Sequence, residues 1–168
     1  MVKANFRRRV YAIPREYWEY LIDRLVKDRG KLDRKLHTRR KLSSTERDIE
    51  DRLVAAHLRP FRRHGYDLEL QGRQYHTRNG GIADILALDR KTKRHVIIEL
   101  KLHQANRLAV GQLLSYCASI AEEFPDASPP IGLLVAERLD NEAEGIINLI
   151  EDLDFIQLDN LLPAAQRT

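Results

Sequence analysis

The chain has 168 residues, a formal net charge of +4, and 43% apolar and 32% charged residues. This length and balance predict a globular domain with a sizeable core. They argue against a membrane protein, because no uncharged apolar run approaches the ~20 residues that a spanning helix needs. The single cysteine, Cys117, excludes an intrachain disulfide. Its apolar, helical surroundings predict a buried thiol in a reducing compartment, the cytoplasm.

The charge is unevenly distributed along the chain. Residues 1–42 contain 14 Lys and Arg against 5 Asp and Glu, whereas residues 43–168 contain 15 against 20. We therefore divide the chain into a basic, mostly helical N-terminal extension, 1–42, and a main domain, 43–168. Such a basic segment favours contact with a polyanion, although a solvated basic arm explains it equally well. The candidate contacts are Arg7, Arg8, Arg9, Arg39, Arg40 and Lys41.

Two amphipathic helices are predicted in the first 60 residues. After Pro14, the apolar residues from Trp18 to Val26 recur at helical spacing. The helix that they predict ends near Gly30. A second helix begins near residue 43 and stops before Pro60. Its inward stripe is predicted to comprise Ile49, Leu53, Ala56 and His57.

From residue 65 the apolar pattern changes to the period of a strand. In the first strand Tyr66, Leu68 and Leu70 alternate with polar neighbours. The next two strands cover 82–89 and 94–101, and a polar turn at 90–93 joins these two into a hairpin. A helix over 106–122, an apolar strand over 131–136, a helix over 141–152 and a strand over 155–159 follow. This order predicts an α/β fold with a mixed sheet flanked by helices.

Charged residues interrupt the predicted hairpin. Glu99 and Lys101 share one strand face with Ile97, which alone indicates an ordinary salt bridge at a strand end. Asp84, however, lies inside the preceding strand, where Asp is disfavoured. In a hairpin about the 90–93 turn, Asp84 and Glu99 would pair at the end away from the turn. Two adjacent carboxylates repel, and a hard cation such as Mg²⁺ relieves that repulsion.

The spacing of these residues resembles a nuclease motif. Asp84, a gap of 14 residues and then Glu99-Leu100-Lys101 is similar to the D…ExK core of the PD-(D/E)xK superfamily. Its restriction-endonuclease-like αβββαβ core matches the predicted order of elements. Residues 44–136, including GRQYHTRNGGIADILALD and HVIIELKLHQANRLAVGQLLSY, resemble the RecB-type catalytic domain of the NucS/EndoMS endonucleases.

The resemblance implies roles for the motif residues. Asp84 and Glu99 would bind Mg²⁺, or Mn²⁺ in its place, with the Leu100 carbonyl as a further ligand. Lys101 would assist the attacking water.

The family also implies a catalytic carboxylate on the preceding helix and a substrate-binding pair on the following one. Glu50 fits the first position, with Glu46 one turn earlier as its rival, although both fit equally well as surface charges. Gln112 and Tyr116, four residues apart on one helix face, fit the substrate-binding pair. A polar helix start followed by a core tyrosine is the alternative.

These implications predict a Mg²⁺-dependent endodeoxyribonuclease acting on DNA. A homodimer is expected for cutting both strands, with the helix that carries Trp18 as a candidate contact. The β-rich N-terminal domain of NucS-type enzymes is not visible in this sequence, so mismatch specificity does not carry over. Two alternatives remain open: a catalytically silent nucleic-acid-binding protein, and an RNA-directed or defence nuclease of the same fold.

A last motif lies near the C-terminus. IQLDNLLP faintly resembles a sliding-clamp peptide, through Gln157, Leu158, Leu161 and Leu162. A final strand and its turn is the favoured interpretation.

Overall fold

The computed structural model describes residues 44–162. The predicted N-terminal helix and the candidate DNA contacts Arg7, Arg8, Arg9, Arg39, Arg40 and Lys41 lie outside these residues. The described elements are, in chain order, helix α1 (Ser44–Ala55), a short 3-10 helix (Arg59–His64), strands β1 (Leu68–His76), β2 (Ile82–Asp89), β3 (His95–Leu100) and β4 (Gln104–Ala105), helix α2 (Arg107–Glu123), strands β5 (Ile131–Ala136) and β6 (Arg138–Leu139), helix α3 (Asn141–Leu149), strand β7 (Leu153–Gln157) and helix α4 (Leu158–Leu161).

Five strands form one mixed sheet in the order β1-β2-β3-β5-β7. Strand β2 pairs antiparallel with both β1 and β3, because short connections reverse the chain between these strands. Strands β3, β5 and β7 pair in parallel, because α2 and α3 carry the chain back before each new strand. A separate two-residue ladder joins β4 and β6. The α/β architecture with a mixed sheet is confirmed.

Apolar side chains cover both faces of the sheet. On one face Leu53 of α1 packs in a cluster with Ile98 of β3. On the other face Leu113 of α2 packs in a cluster with Ile97 of β3. Burial on both faces explains why the central strands read as nearly uninterrupted apolar runs. None of the helices in the described part of the chain is long and apolar enough to cross a membrane.

Cys117 lies in the cluster on the α2 face and is a buried free thiol, as predicted. Burial raises the pKa of this thiol to about 12. It is therefore protonated at neutral pH and packs as a small apolar side chain.

Two predictions about the core were wrong. Helix α1 ends at Ala55, and His57 and Leu58 adopt left-handed backbone conformations, with φ of 52° and 55°. That turn exposes His57 and buries Leu58, which is only 1% exposed. Strand β1 begins at Leu68, so it excludes Tyr66. It continues to His76, farther than its alternating residues indicated, and Leu70 is 38% exposed.

The C-terminal prediction of a strand and its turn is confirmed, with earlier boundaries than expected. Helix α3 ends at Leu149, and β7 is followed by the single turn of α4. The three leucines of the clamp-like motif, Leu158, Leu161 and Leu162, are buried in the core on the α1 face. A partner could reach them only if this end of the domain opened.

Candidate active site

The antiparallel pairing of β2 and β3 brings Asp84 and Glu99 together. Ile85 pairs with Ile98, so one step farther along both strands Asp84 lies opposite Glu99. The Asp84 carboxylate accepts a hydrogen bond of 2.8 Å from the Leu100 N–H, where a regular backbone ladder would otherwise continue. Asp84 is 5% exposed and Glu99 is fully buried. Two carboxylates therefore lie side by side at the end of the hairpin away from its turn, as predicted.

Lys101 lies beside this carboxylate pair. Its backbone N–H bonds to the carbonyl of Val135, which fixes the chain just beyond β3. The ammonium forms an ion pair with Glu99 and a 3.3 Å hydrogen bond with the Leu100 carbonyl. The Lys101 side chain is 11% exposed. A cation this buried needs such partners, so its position relative to Glu99 is well defined.

Glu50 and Glu46 of α1 occupy different environments. Glu50 is 1% exposed, and its two oxygens accept hydrogen bonds from Arg73, at 2.7 Å, and from Gln74, at 2.8 Å. The same Gln74 amide lies 3.3 Å from an oxygen of Asp84. Glu46 instead accepts a 3.2 Å hydrogen bond from the Leu102 N–H. Glu50 is thus joined to Asp84 through the Gln74 side chain.

Gln112 and Tyr116 lie on one face of α2, and the Gln112 amide donates a 2.5 Å hydrogen bond to the Tyr116 hydroxyl. Tyr116 is 6% exposed. Burial first, and then the negative charges of Glu99 and Asp84, raise the pKa of Tyr116 to about 12. The phenol therefore lies close to both carboxylates and remains protonated at neutral pH, able to donate a hydrogen bond.

Gly81 makes the position of Tyr116 possible. A Cβ atom at residue 81 would lie 2.4 Å from the Tyr116 ring. Thr77 holds this backbone by hydrogen bonds to the N–H and the carbonyl of Gly81. Glycine is needed here for close approach of the ring to the backbone.

Arg73 and Gln74 contact the predicted site residues but were not identified from the sequence. Arg73 and Gln74 are polar residues in a strand, where alternation with apolar residues conceals any special role. Their partners come from α1 and β2, which are separated from them along the chain by 23 and 10 residues. To identify Arg73 and Gln74, one would need to know the register in which β1 pairs with β2.

The oxygen donors of the site suit a hard divalent cation. Among residues 46–162, no group of three or more His, Cys, Asp or Glu side chains is arranged to hold a metal ion. Asp84 and Glu99 nevertheless supply two adjacent carboxylates, and the Leu100 carbonyl directly follows Glu99 in the chain. Mg²⁺ commonly uses one or two protein carboxylates and keeps several waters, so this donor set fits it.

Residues 45–166 match the model of a family described as the endonuclease NucS C-terminal domain. The chain belongs to this family. The match covers well over half of the sequence and includes every site residue described above. A comparison with curated proteins finds no significant match.

Two solved structures resemble this NucS C-terminal domain. A repair endonuclease from Pyrococcus abyssi aligns with a TM-score of 0.56 and 27% identity, over 70% of this chain and 47% of the other. EndoMS in complex with dsDNA aligns with a TM-score of 0.52 and 22% identity, over 71% and 48%. The second likeness supports the fold alone. The chain thus spans about half the length of these solved relatives, and its nuclease-like fold agrees with the predicted fold class.

Proposed function

We propose that this NucS C-terminal domain protein hydrolyses phosphodiester bonds in DNA as a metal-dependent endonuclease. The observation that carries the proposal is the buried Asp84–Glu99 pair with Lys101 beside it, at one end of the sheet. Three charged side chains in such a place stabilise a fold poorly, so a chemical role explains them better. The repair endonuclease from Pyrococcus abyssi, 27% identical, supports the same class of activity.

Asp84, Glu99 and the Leu100 carbonyl would hold the cation, which is Mg²⁺ or Mn²⁺. When bound, such an ion neutralises charge on the phosphate and lowers the pKa of a coordinated water. The Leu100 N–H orients Asp84 for this task by a 2.8 Å hydrogen bond. The Gln74 amide contacts the other oxygen of Asp84 at 3.3 Å.

Lys101 would act on the attacking water. Its ammonium is held by Glu99 and the Leu100 carbonyl, so it can donate a hydrogen bond to the water or to a phosphate oxygen without moving far. Glu50 would contribute through water or through the hydrogen bond that it shares with Gln74. Gln112 and the protonated Tyr116 would donate hydrogen bonds to substrate phosphate.

The remaining proposals concern the whole protein. The basic residues of the extension would contact the DNA backbone in a sequence-independent way. A homodimer would supply the two sites that cleavage of both strands requires. We also propose a cytoplasmic location. A sliding clamp is a weak candidate partner, because the leucines of the clamp-like motif are buried.

The decisive experiment measures cleavage of duplex, branched, mismatched and single-stranded DNA, and of RNA, with Mg²⁺ or Mn²⁺. We expect wild type to cut DNA only with metal, and Lys101→Ala to reduce the rate by about 10²-fold or more. Lys93→Asn is the matched control. It also removes one positive charge, it lies at the exposed turn between β2 and β3, and asparagine tolerates the left-handed backbone there, where φ is 60°.

The outcomes separate the alternatives. Metal-dependent cutting that is lost in Lys101→Ala and kept in Lys93→Asn would establish the nuclease. Cutting of RNA in preference to DNA would favour the RNA-directed enzyme. Absence of cutting, with tight and salt-sensitive DNA binding that Lys101→Ala leaves unchanged, would identify a nucleic-acid-binding protein instead.

A further inference from the structure

Gln74 has a backbone conformation that is unusual for a strand. Its φ is 46°, in the left-handed region, although the ladder with β2 continues on both sides of it. Arg73 pairs with Ile85, and Tyr75 pairs with Ala83. A non-glycine residue in such a conformation costs about 1–3 kcal/mol and persists only where its surroundings enforce it. An outlier of this kind is a reason to ask what the side chain does.

The left-handed residue changes which face of the sheet its neighbours occupy. In a regular strand Arg73 and Tyr75 would point to the same side. Here Arg73 bonds to Glu50 of α1, whereas Tyr75 donates a 2.6 Å hydrogen bond to Glu123 of α2. In β2 the side chains change faces at the same place, since Ile85 packs on the α1 face and Ala83 on the α2 face. Gln74 in β1 and Asp84 in β2 therefore mark a crossing point. At this position the alternation of side chains between the two sheet faces shifts by one residue.

The Gln74 side chain joins the two carboxylates at this crossing point. Its amide nitrogen donates to Glu50 at 2.8 Å and contacts Asp84 at 3.3 Å. Both carboxylates are almost fully buried, with exposures of 1% and 5%. Their mutual repulsion would tend to separate them. A neutral amide holds both without adding a positive charge that would compete with a metal ion.

Each of these carboxylates also has a second donor. Glu50 receives the Arg73 guanidinium at 2.7 Å, and Asp84 receives the Leu100 N–H at 2.8 Å. Gln74 thus completes a chain of hydrogen bonds from α1 across β1 to the end of β3. A carboxylate oxygen has more than one lone pair, so Asp84 can accept these bonds and still bind a cation.

We propose that Gln74 is a positioning residue, whose side-chain amide fixes Glu50 and Asp84 relative to each other for metal binding. The proposal rests on the proposed metal-dependent nuclease function and adds a determinant of its metal affinity. The strained backbone at Gln74 is the structural cost of directing this amide between the two carboxylates. Removal of the amide is expected to weaken metal binding by about 10-fold or more, as is common for residues that orient metal ligands.

The test uses the full chain and measures Mn²⁺ binding directly, by calorimetry or by the electron paramagnetic resonance signal of free Mn²⁺. Gln74→Gly removes the amide and its hydrogen bonds but relaxes the left-handed backbone. The two effects on folding oppose each other, so its stability to urea should stay close to that of wild type. We expect its Kd for Mn²⁺, and the Mg²⁺ concentration for half-maximal cleavage, to rise about 10-fold or more. Gln71→Gly, at an exposed position of the same strand, is the matched control and should leave both values unchanged.

A second variant keeps the proposal testable if Gln74→Gly does not fold. Gln74→Asn keeps an amide and tolerates the left-handed conformation, but it is one methylene too short to reach both carboxylates. It should weaken Mn²⁺ binding while the protein remains folded. Asp84→Asn identifies the site, because Mn²⁺ binding that depends on this carboxylate should be lost there.

The outcomes distinguish this proposal from the proposed function. Wild type that binds Mn²⁺ and cuts DNA, together with folded Gln74 variants whose Kd stays within about twofold, would overturn only the role of Gln74. Weaker Mn²⁺ binding by Gln74→Gly with unchanged or increased stability would support it, because a purely structural residue would affect the two in parallel. Wild type that neither binds Mn²⁺ nor cuts DNA would overturn both.

Discussion

Close packing of single residues determines the shape of the site. The Tyr116 ring approaches the backbone of Gly81, where a Cβ atom would lie 2.4 Å from it. The ring is almost fully buried and cannot easily move away. The position of Tyr116 in α2 thus depends on the absence of a side chain at Gly81, immediately before β2.

Replacement of Gly81 tests this contact. We expect Gly81→Ala to destabilise the protein by about 1–3 kcal/mol, or to displace Tyr116, because the added methyl group overlaps the ring. Gly145→Ala in α3 is the control, since nothing lies within 4 Å of its Cβ position. That change should stabilise the helix by about 0.5–1 kcal/mol. Urea unfolding measures both, and equal midpoints for the two variants would contradict the prediction.

Cys117 predicts how stability depends on alkaline pH. Burial raises the pKa of its thiol from 9.0 to about 12. Between these values the native state keeps a proton that the unfolded chain releases, so the free energy of unfolding falls as the pH rises. Below pH 9 the contribution is fully present. We expect a shallower decline for Cys117→Ala in urea titrations across this range, and parallel declines would show that the thiol is not the cause.

At the scale of elements, the hairpin of β2 and β3 brings Asp84 and Glu99 together, and its turn is held by Asp89. This residue is 2% exposed and accepts hydrogen bonds from the Asp67 N–H, at 3.0 Å, and the Thr92 hydroxyl, at 2.7 Å. Burial alone would raise the pKa of Asp89, but these bonds outweigh it and the pKa lies below its usual value. The carboxylate therefore stabilises the turn at neutral pH and loses this effect as the pH falls through that lowered value.

Removal of this carboxylate should loosen the hairpin. We expect Asp89→Ala to lower the free energy of unfolding by about 2–4 kcal/mol, because several hydrogen-bond donors of the turn lose their shared acceptor. Asp126→Ala, at an exposed loop position, should change it by less than about 0.5 kcal/mol. Urea unfolding monitored by circular dichroism distinguishes the two. A loss no greater for Asp89→Ala than for Asp126→Ala would mean that the turn does not depend on this residue.

At the scale of the whole molecule, charge is divided between the two parts of the sequence. Residues 1–42 carry a net charge of +9, and residues 43–168 carry −5. An acidic domain repels DNA at long range, so the basic extension would have to supply most of the attraction to phosphate. DNA affinity should then depend steeply on salt concentration. This dependence should come mainly from residues 1–42, which are far in sequence from the D…ExK motif.

The salt dependence of DNA binding tests this division. Replacing Arg7, Arg8 and Arg9 together by glutamine should weaken binding similarly for all DNA sequences. The slope of log Kobs against log salt should become shallower by up to about 3, because each lost phosphate contact removes about 0.9. The control is the full chain with the exposed residues Arg59 and Arg63 changed to glutamine and Lys93 to asparagine. Equal slopes for the two triple variants would contradict a special role of the extension.

The sequence alone determined the order and type of the main elements and the pairing of Asp84 with Glu99. Its alternation and turn residues located β2, β3 and β5 closely, because local periodicity and Gly or polar breaks control such strands. The hairpin register then followed from counting residues about the 90–93 turn. The face shared by Ile97, Glu99 and Lys101 was equally predictable, since alternation along one strand is a local property.

Only the tertiary structure separated Glu50 from Glu46 and revealed Gln74. Both glutamates lie on one helix face, and their partners come from distant parts of the chain, so no local pattern distinguishes them. The left-handed turn at His57 and Leu58 and the crossover at Gln74 likewise depend on burial and hydrogen bonds that override local preference. Local propensity describes what a segment favours by itself, whereas these features exist because α1, β1 and β2 pack against one another.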